Sequence, residues 1–161
     1  MRCITVPGDD LNIEIIGGSC RFGLWFVHVR WNATTVHQVR FATTGIPGEV
    51  PNLIRQYCAG QVVRPERLDS IAIHEDTVYS RIYRAVQQVP YGSTTTYGEI
   101  AARVRTSPRV VGQAMARNPT PLVIPCHRIL AAHGIGGFSP DVEIKESLLA
   151  MEKRGLRKVE R

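Results

Sequence analysis

The amino-acid sequence predicts an α+β fold, in which an N-terminal α/β lobe with an antiparallel sheet is joined to a mostly helical C-terminal lobe. In the first half of the 161 residues, short runs of alternating apolar residues are separated by turn residues, a pattern typical of antiparallel strands. In the second half, apolar residues recur at helical spacing. The pattern changes near residue 75, so we expect one lobe over residues 1–75 and the other over residues 76–161.

The composition limits the class of protein. Apolar residues make up 43% of the chain and charged residues 21%, which excludes a wholly disordered or fibrous protein. No stretch approaches the roughly 18 apolar residues of a membrane-spanning helix. No long apolar run follows Met1, so we expect no secretory signal, no membrane association and a cytoplasmic location.

Three strands and one helix are predicted in the N-terminal lobe. Alternation and turn residues predict strands over residues 11–16, 24–31 and 36–41. The pair Gly17-Gly18 is predicted to form the turn after the first of these strands. Apolar residues at helical spacing predict a helix over residues 49–57, which Gly60 ends.

The C-terminal lobe is predicted to contain a winged helix-turn-helix. A helix over residues 77–89 comes first, and Thr96 is placed to cap the next one. Ser107 followed by Pro108 then starts a helix over residues 108–117. Two short helices joined by such a turn form the motif whose second helix enters the major groove of DNA. An ordinary helical hairpin is the alternative.

The rest of this lobe is predicted to be a strand, a loop and a helix. The apolar run over residues 122–130 predicts a buried strand that is interrupted by one polar cluster. The glycine-rich segment 134–140 predicts a loop that needs positive φ angles or a close approach of the backbone. Helical periodicity then predicts a final helix over residues 142–154.

The charge is concentrated in the C-terminal lobe. Twenty basic residues, seventeen of them Arg, stand against fourteen acidic ones, and the net charge is +6. Residues 1–75 are neutral on balance, whereas the interval from Arg81 to Arg128 holds seven Arg and one acid, Glu99. A basic segment of this kind predicts a polyanionic partner, most simply nucleic acid. Arg enrichment for solubility or heat resistance is the alternative.

The tetrad Pro125-Cys126-His127-Arg128 interrupts the apolar run with three polar side chains. Such groups are costly to bury unless they have partners. A thiol beside an imidazole and a guanidinium is expected to have a lowered pKa and to react as a thiolate. Adjacent residues of an extended chain point to opposite faces, so His127 would need a bridging water or a local turn to reach Cys126. A buried structural cysteine is the alternative.

The remaining cysteines, Cys3, Cys20 and Cys58, are widely spaced and contain no CxxC pair. This spacing argues against a zinc ribbon or a dithiol redox motif. A Cys3–Cys20 disulfide, or a metal site that includes His28 or His74, stays open, although scattered cysteines are usually buried apolar residues.

From about Tyr79 to Arg154 the sequence resembles the O6-alkylguanine-DNA alkyltransferases, also called methylated-DNA–protein-cysteine methyltransferases. Several segments in the same order carry the resemblance: Thr96-Tyr97-Gly98-Glu99, Arg109-Val110-Val111-Gly112-Gln113-Ala114-Met115, Asn118-Pro119, Pro125-Cys126-His127-Arg128, Gly136-Gly137-Phe138-Ser139 and Lys145-Glu146-Ser147-Leu148-Leu149-Ala150-Met151-Glu152. Residues 1–75 match this family weakly. The resemblance implies direct-reversal DNA repair, in which an alkyl group moves irreversibly from O6-alkylguanine, and from O4-alkylthymine, to a cysteine.

The resemblance also implies catalytic roles for individual residues. Cys126 is the implied nucleophile, and His127, acting through a water, is the implied base. Glu152 orients His127, and Asn118 holds the turn between the recognition helix and the active-site segment. Tyr97 is implied to push the target phosphate so that the nucleotide rotates out of the duplex.

A second set of implied residues contacts DNA and the damaged base. Arg109 is implied to fill the space that the flipped base leaves. Further contacts with DNA are implied for Thr96, Ala116, Arg117 and Arg128. The guanine pocket is implied to be lined by Met115, Ile129, Gly136, Phe138 and Ser139. Phe138 stands where some relatives have Tyr, so that hydroxyl contact is lost.

We therefore expect a single-turnover transferase that works as a monomer on alkylated double-stranded DNA, without a cofactor or a metal. Flipping is needed because guanine O6 is stacked inside the duplex, and a thiolate next to a base is a suitable nucleophile. Two alternatives remain. An alkyltransferase-like sensor would bind the lesion without transfer, although members of that group usually lack the cysteine. A winged-helix DNA-binding regulator would need neither the tetrad nor the glycine-rich loop.

Overall fold

A computed structural model of the chain describes residues 3–4 and 13–160. Two short strands, β1 (Cys3–Ile4) and β2 (Ile13–Glu14), pair antiparallel. Three longer strands form an antiparallel sheet in the order β3 (Ile16–Phe22), β4 (Trp25–Trp31) and β5 (Val36–Ala42). The predicted antiparallel sheet is therefore confirmed, and its second and third strands lie close to their predicted bounds. Of the first predicted strand, residues 11–12 lie outside the described residues.

The prediction of a turn at Gly17-Gly18 is wrong, because both glycines lie inside β3. Only Gly18 is needed there, for a different reason, because a Cβ at Gly17 would meet nothing nearer than the Val29 carbonyl, at 3.8 Å. The backbone of Glu49 crosses Gly18 so closely that a Cβ at Gly18 would overlap it. Gly48, with φ at +118°, is also required, because a Cβ there would overlap the carbonyl oxygen of Gly17. Strand glycines of this kind mark the close approach of a second backbone segment.

The helices agree with the predicted order. Helix α1 covers Asn52–Cys58 and α2 covers Val78–Gln87. Helices α3 (Tyr97–Val104) and α4 (Pro108–Ala116) form the predicted helix-turn-helix, and α5 covers Val142–Val159, five residues longer than predicted. Among the described residues, no helix is long and apolar enough to cross a membrane.

The local signals that start these helices are present in the structure. The side-chain oxygens of Thr96 and Ser107 accept hydrogen bonds from the Glu99 and Val110 amides, at 3.2 Å each. Each bond satisfies one of the amides that a helix start leaves without a partner. Between the helices, Arg105 takes the left-handed conformation, with φ at 64°. The chain therefore reverses sharply and sets α4 across α3.

Buried side chains form two clusters. One lies between the sheet and α1 and also includes Ile144, Leu148 and Met151 of α5. The other is built by α2, α3 and α4 and includes Ile124 and Ile129. The segment that contains the tetrad runs between these two clusters, so its backbone is buried on both sides.

Candidate active site

The predicted strand over residues 122–130 is wrong for most of its length. Residues 122–129 are all buried, as expected, but residues 126–128 form a 3₁₀ turn. The Cys126 amide donates to the Ile124 carbonyl at 2.7 Å, and the Arg128 amide donates to the Pro125 carbonyl at 3.0 Å. Only β7 (Ile129–Leu130) is extended, and it pairs in parallel with β6 (Thr95–Thr96). The turn removes the objection that strand geometry would point Cys126 and His127 to opposite faces.

Glu152 of α5 is the centre of a buried hydrogen-bond network. Its Oε2 accepts from His127 Nε2 at 2.6 Å and from the Tyr57 hydroxyl at 2.5 Å. Three guanidinium contacts from Arg128, at 2.9, 3.2 and 3.0 Å, and the Gly92 amide, at 2.8 Å, complete its partners. The Glu152 side chain that accepts these hydrogen bonds is fully buried.

The protonation states of this network follow from burial and charge. Burial alone would raise the pKa of Glu152, but the hydrogen bond from His127 and the hydrogen bonds and charge of Arg128 outweigh it and hold that pKa well below its usual range. Burial lowers the pKa of His127 in spite of the neighbouring carboxylate. The pair is therefore an ionised carboxylate facing a neutral imidazole at pH 7.

The tautomer of His127 is fixed by its partner. Because Nε2 faces the acceptor oxygen of Glu152, it carries the proton of the neutral ring, and Nδ1 carries the lone pair. Among the described residues, Nδ1 is buried and has no hydrogen-bond partner. A lone pair held in this way is suited to accept a proton.

The Cys126 thiol does not have the lowered pKa that the sequence predicts. Its side chain is buried, and burial raises the pKa of the thiol, although a hydrogen bond with the Asn118 side chain and the charge of Lys145 partly oppose this. The guanidinium of Arg128 is directed to Glu152 instead of the thiol. Cys126 at rest is therefore a protonated thiol that needs a base.

Asn118 joins the end of the helix-turn-helix to the tetrad segment. Its Nδ2 donates to the Ile124 carbonyl at 2.9 Å, and its Oδ1 accepts from the Thr120 amide at 3.0 Å. These bonds close the loop that follows α4 against the residues before Cys126. The arrangement is the one expected of a residue that holds this turn.

A cavity of about 290 Å³ opens onto Cys126. Of the predicted pocket residues, Met115, Phe138 and Ser139 line it, and so do the predicted catalytic residues Tyr97 and Asn118. The remaining lining residues are Gly112, Ala116, Pro121 and Gly137.

Two predicted pocket residues lie elsewhere. The Ile129 side chain is buried in the helical cluster and is not among the residues that line the cavity. Gly136, with φ at +80°, is also not a lining residue, and a Cβ at this position would come within 2.8 Å of the Tyr97 hydroxyl and 3.3 Å of Lys145 Nζ. Gly136 therefore permits the close approach of the side chains that support the pocket, and Gly137 is the glycine that lines it.

The predicted DNA-contacting residues divide into exposed and buried ones. Arg109, Ala116 and Arg117 are exposed on α4 and at its end, and Thr96 is half-buried at the start of α3. The prediction for Arg128 is wrong, because this side chain is completely buried. Its guanidinium donates hydrogen bonds to Glu152 and to the Val89 carbonyl. A buried charge is retained where it is paired, which explains why this Arg belongs to the core.

Comparison with known proteins places this arrangement in a family. The DNA-binding domain of the 6-O-methylguanine DNA methyltransferases matches residues 77–154. A methylated-DNA–protein-cysteine methyltransferase of Thermococcus sibiricus is 33% identical over 136 residues, which cover 81% of this chain and 78% of that protein. The chain belongs to the methylated-DNA–protein-cysteine methyltransferase family.

Other members of the family match over a shorter region. The enzyme of the same name from Sulfolobus acidocaldarius is 49% identical over 72 residues, or 45% of this chain and 46% of that protein. The one from Metallosphaera sedula is 45% identical over 82 residues, which cover 51% and 53% of the two chains. In these two alignments the chain spans about half the length of the relatives that it matches.

Solved structures of this family share the fold. The O6-methylguanine-DNA methyltransferase of Pyrococcus kodakaraensis superposes with a TM-score of 0.67 and 25% identity, covering 86% of this chain and 99% of that one. A Mycobacterium tuberculosis relative that was solved in complex with DNA gives a TM-score of 0.71 at 24% identity, covering 85% of this chain and 92% of that one.

Two residues of this methyltransferase-family chain were missed by the sequence analysis as parts of the site. Tyr57 lies in α1, far from the matched motifs, and only its regular apolar spacing marked it as a core residue. Lys145 lies on the buried face of α5. Its Nζ is buried and donates to the carbonyls of Ile129 and Gly137, at 2.7 and 3.4 Å. The sequence does contain an indication of this role, because Lys145 falls among the buried positions of α5 and a buried ammonium needs polar partners.

The other cysteines of this family member lie away from Cys126. Cys20 and Cys58 are both free thiols, and they contact one another between β3 and the end of α1. The Cys3 side chain lies outside the described residues. Within the part of the chain that the structure describes, no group of three or more His, Cys, Asp or Glu side chains is arranged to hold a metal ion.

Proposed function

We propose that this protein repairs alkylated DNA by moving an alkyl group from guanine O6, or thymine O4, to the Sγ of Cys126, once per chain. Residues 76–161 would carry DNA binding and transfer, residues 1–75 would support them, and a single chain would suffice. The family's curated members are named for transfer of a methyl group to a protein cysteine.

One observation carries this proposal more than any other. Cys126 is at once a wall of the 290 Å³ cavity and the residue directly before the buried His127–Glu152 pair. A structural cysteine would need neither an open cavity on one side nor a neutral imidazole with a free lone pair beside it. A nucleophile needs both.

The proposed reaction has three steps: proton transfer, attack on the alkyl carbon and departure of the guanine. The proton of Cys126 passes to Nδ1 of His127 through a water, and Glu152 stabilises the resulting imidazolium. The thiolate attacks the alkyl carbon, so an S–C bond forms as the C–O6 bond breaks. The electron pair of the broken bond stays on the guanine, where the Tyr97 hydroxyl stabilises the developing charge or supplies a proton.

Because the thiol is buried, the damaged nucleotide must come to it. The alkylated oxygen of a stacked base cannot reach a cavity wall, so the nucleotide must leave the duplex, at a cost of a few kcal/mol. Arg109 is exposed in the first turn of α4 and is the proposed wedge that fills the space left behind. Phosphate contacts made by the exposed Arg side chains need no particular sequence, which suits a protein that searches for damage.

The test is a titration of limiting protein with excess O6-methylguanine duplex, followed by intact mass and peptide mapping. We expect one added methylene per chain, on Cys126, and no further turnover, because a thioether is stable. Cys126→Ser should keep the fold and the affinity for DNA but accept no methyl group, since a hydroxyl is far harder to ionise.

The other outcomes identify the alternatives. Turnover beyond one equivalent, or label on another cysteine, contradicts the mechanism. Tight binding to the damaged duplex without transfer identifies a lesion sensor. Equal binding to damaged and undamaged duplexes without transfer identifies a DNA-binding regulator.

A further inference from the structure

Tyr57 reaches the proposed base from the other half of the sequence. Its side chain is 1% exposed, and its hydroxyl lies 2.5 Å from Glu152 Oε2 and 3.2 Å from His127 Nε2. The contacts join residues that are 95 and 70 positions apart along the chain. One hydroxyl thus touches both members of the pair that is to receive the Cys126 proton.

We propose that Tyr57 is a positioning residue, which fixes the orientation of the His127 ring and sets the proton affinity of its Nδ1. This inference rests on the proposed function, because the imidazole matters only if Cys126 must lose a proton. It gives the N-terminal half of the chain a direct part in the chemistry.

The geometry restricts how the ring can turn. The Tyr57 hydroxyl donates its proton to Glu152 Oε2 and presents its lone pairs toward His127 Nε2. The Nε2–H group therefore faces two oxygens on one side. A flip of the ring would put Cε1 in the place of Nε2 and lose both contacts, and the tautomer with its proton on Nδ1 would direct the Nε2 lone pair at the carboxylate. Both changes are unfavourable, so Nδ1 stays the acceptor.

Tyr57 acts as a hydrogen-bond donor throughout the working pH range. Burial, and after it the charge of Glu152, raises the pKa of the Tyr57 phenol well above its usual value. The phenol thus keeps its proton and is not itself a base that could replace His127. Its ring is held at its edge by Tyr91, with ring centroids 6.2 Å apart, which keeps the hydroxyl in place.

The hydroxyl also adjusts the strength of the base. Oε2 of Glu152 accepts from Tyr57, from His127 and from Nη2 of Arg128, at 3.0 Å. Each donor draws charge from the same oxygen and weakens its attraction for a protonated imidazole. Removal of the hydroxyl should therefore raise the pKa of His127. The other charged group that acts on this ring is Lys145 of α5.

The experiment compares Tyr57→Phe with Tyr91→Phe. Tyr91 is the matched control because its ring packs against the ring of Tyr57. Its hydroxyl is also buried but has no hydrogen-bond partner among the described residues. Single-turnover transfer from the free base O6-benzylguanine is measured against pH, since a free base needs no flipping.

Tyr57→Phe should move the midpoint of the pH–rate profile upward by about half a pH unit or more, and lower the plateau rate roughly tenfold. Tyr91→Phe should change neither quantity. A purely structural role would lower the melting temperature of the Tyr57 variant and leave the midpoint in place, and that result overturns the proposal.

A second arm does not depend on transfer. ¹⁵N NMR of His127 should show Nδ1 unprotonated in the neutral protein and a higher titration midpoint in Tyr57→Phe. Incorporation of 3-fluorotyrosine at Tyr57 keeps the ring and strengthens the donor, so it should move the midpoint downward, and this arm remains available if the Phe variant does not fold. Equal midpoints in all three proteins refute the role of Tyr57, whereas absence of transfer in the unaltered protein refutes the proposed function instead.

Discussion

Glu152→Gln should destabilise the fold by about 3–5 kcal/mol, the cost of breaking a buried ion pair by removing one partner. The replacement has the same shape, but one carboxylate oxygen becomes an NH₂ group. If that group faces Gly92 and Arg128 Nε, two donors that now lie 2.8 and 2.9 Å from an oxygen would point at another donor. The Arg128 charge would also lose its fully buried partner and keep only Glu66, at 3.4 Å. Urea denaturation at pH 7, followed by circular dichroism, measures the loss.

The matched control is Glu146→Gln, an exposed change of the same type on the same helix. It should stay within about 0.5 kcal/mol of the unaltered protein. Arg128→Met combined with Glu152→Gln should cost less than the sum of the two single changes, because it leaves no unpaired charge in the core. A loss below about 1 kcal/mol for Glu152→Gln alone would refute the argument that this carboxylate supports the fold as well as the base.

Three further predictions concern pH, flipping and salt. The pKa of His127 is lowered in the fold from 6.5 and that of Glu152 from 4.5, so both stabilise the protein above these values. The free energy of unfolding should therefore fall as the pH drops below about 6.5, and more steeply below about 4.5; a flat profile from pH 7 to pH 4 contradicts these protonation states. Arg109→Ala should slow transfer from duplex DNA strongly and from free O6-benzylguanine hardly at all; equal losses would give Arg109 a role in the fold or the pocket. The logarithm of the affinity for undamaged duplex should fall linearly with the logarithm of the salt concentration, with a slope of about −0.9 per phosphate contact. A flat response would show that the exposed Arg side chains do not contact DNA phosphates.

The sequence predicts those parts of the molecule that depend on local chemistry. Caps at Thr96 and Ser107 and the strands after residue 24 could be recognised because each depends on a few neighbouring residues. Two kinds of error have a common cause. Gly17-Gly18 was assigned to a turn, and Arg128 to a DNA surface, because the partners that determine their positions, Glu49 and Glu152, are distant in sequence.

The site shows the same limit. Nothing in the spacing around Tyr57 indicates that its hydroxyl meets a carboxylate 95 residues later. The direction of the Cys126 pKa shift also could not be predicted from its neighbours in the tetrad, because burial by the surrounding segments outweighs them. The helix caps, which join residues three positions apart, were predictable, whereas the burial of the tetrad by distant segments was not.

The concentration of so many partners on Glu152 has a consequence for genetic screens. Consider saturation mutagenesis scored by survival after an alkylating drug. Most changes at Glu152, Arg128 or Tyr57 should abolish survival, because less folded protein accumulates in the cell. Their scores would report abundance more than catalysis. Changes at Arg109, which is exposed and takes part in no core contact among the described residues, should leave abundance untouched. The phenotypes that inform on repair itself are therefore expected on α4, the proposed DNA-binding helix, and the ones that inform on folding are expected around Glu152.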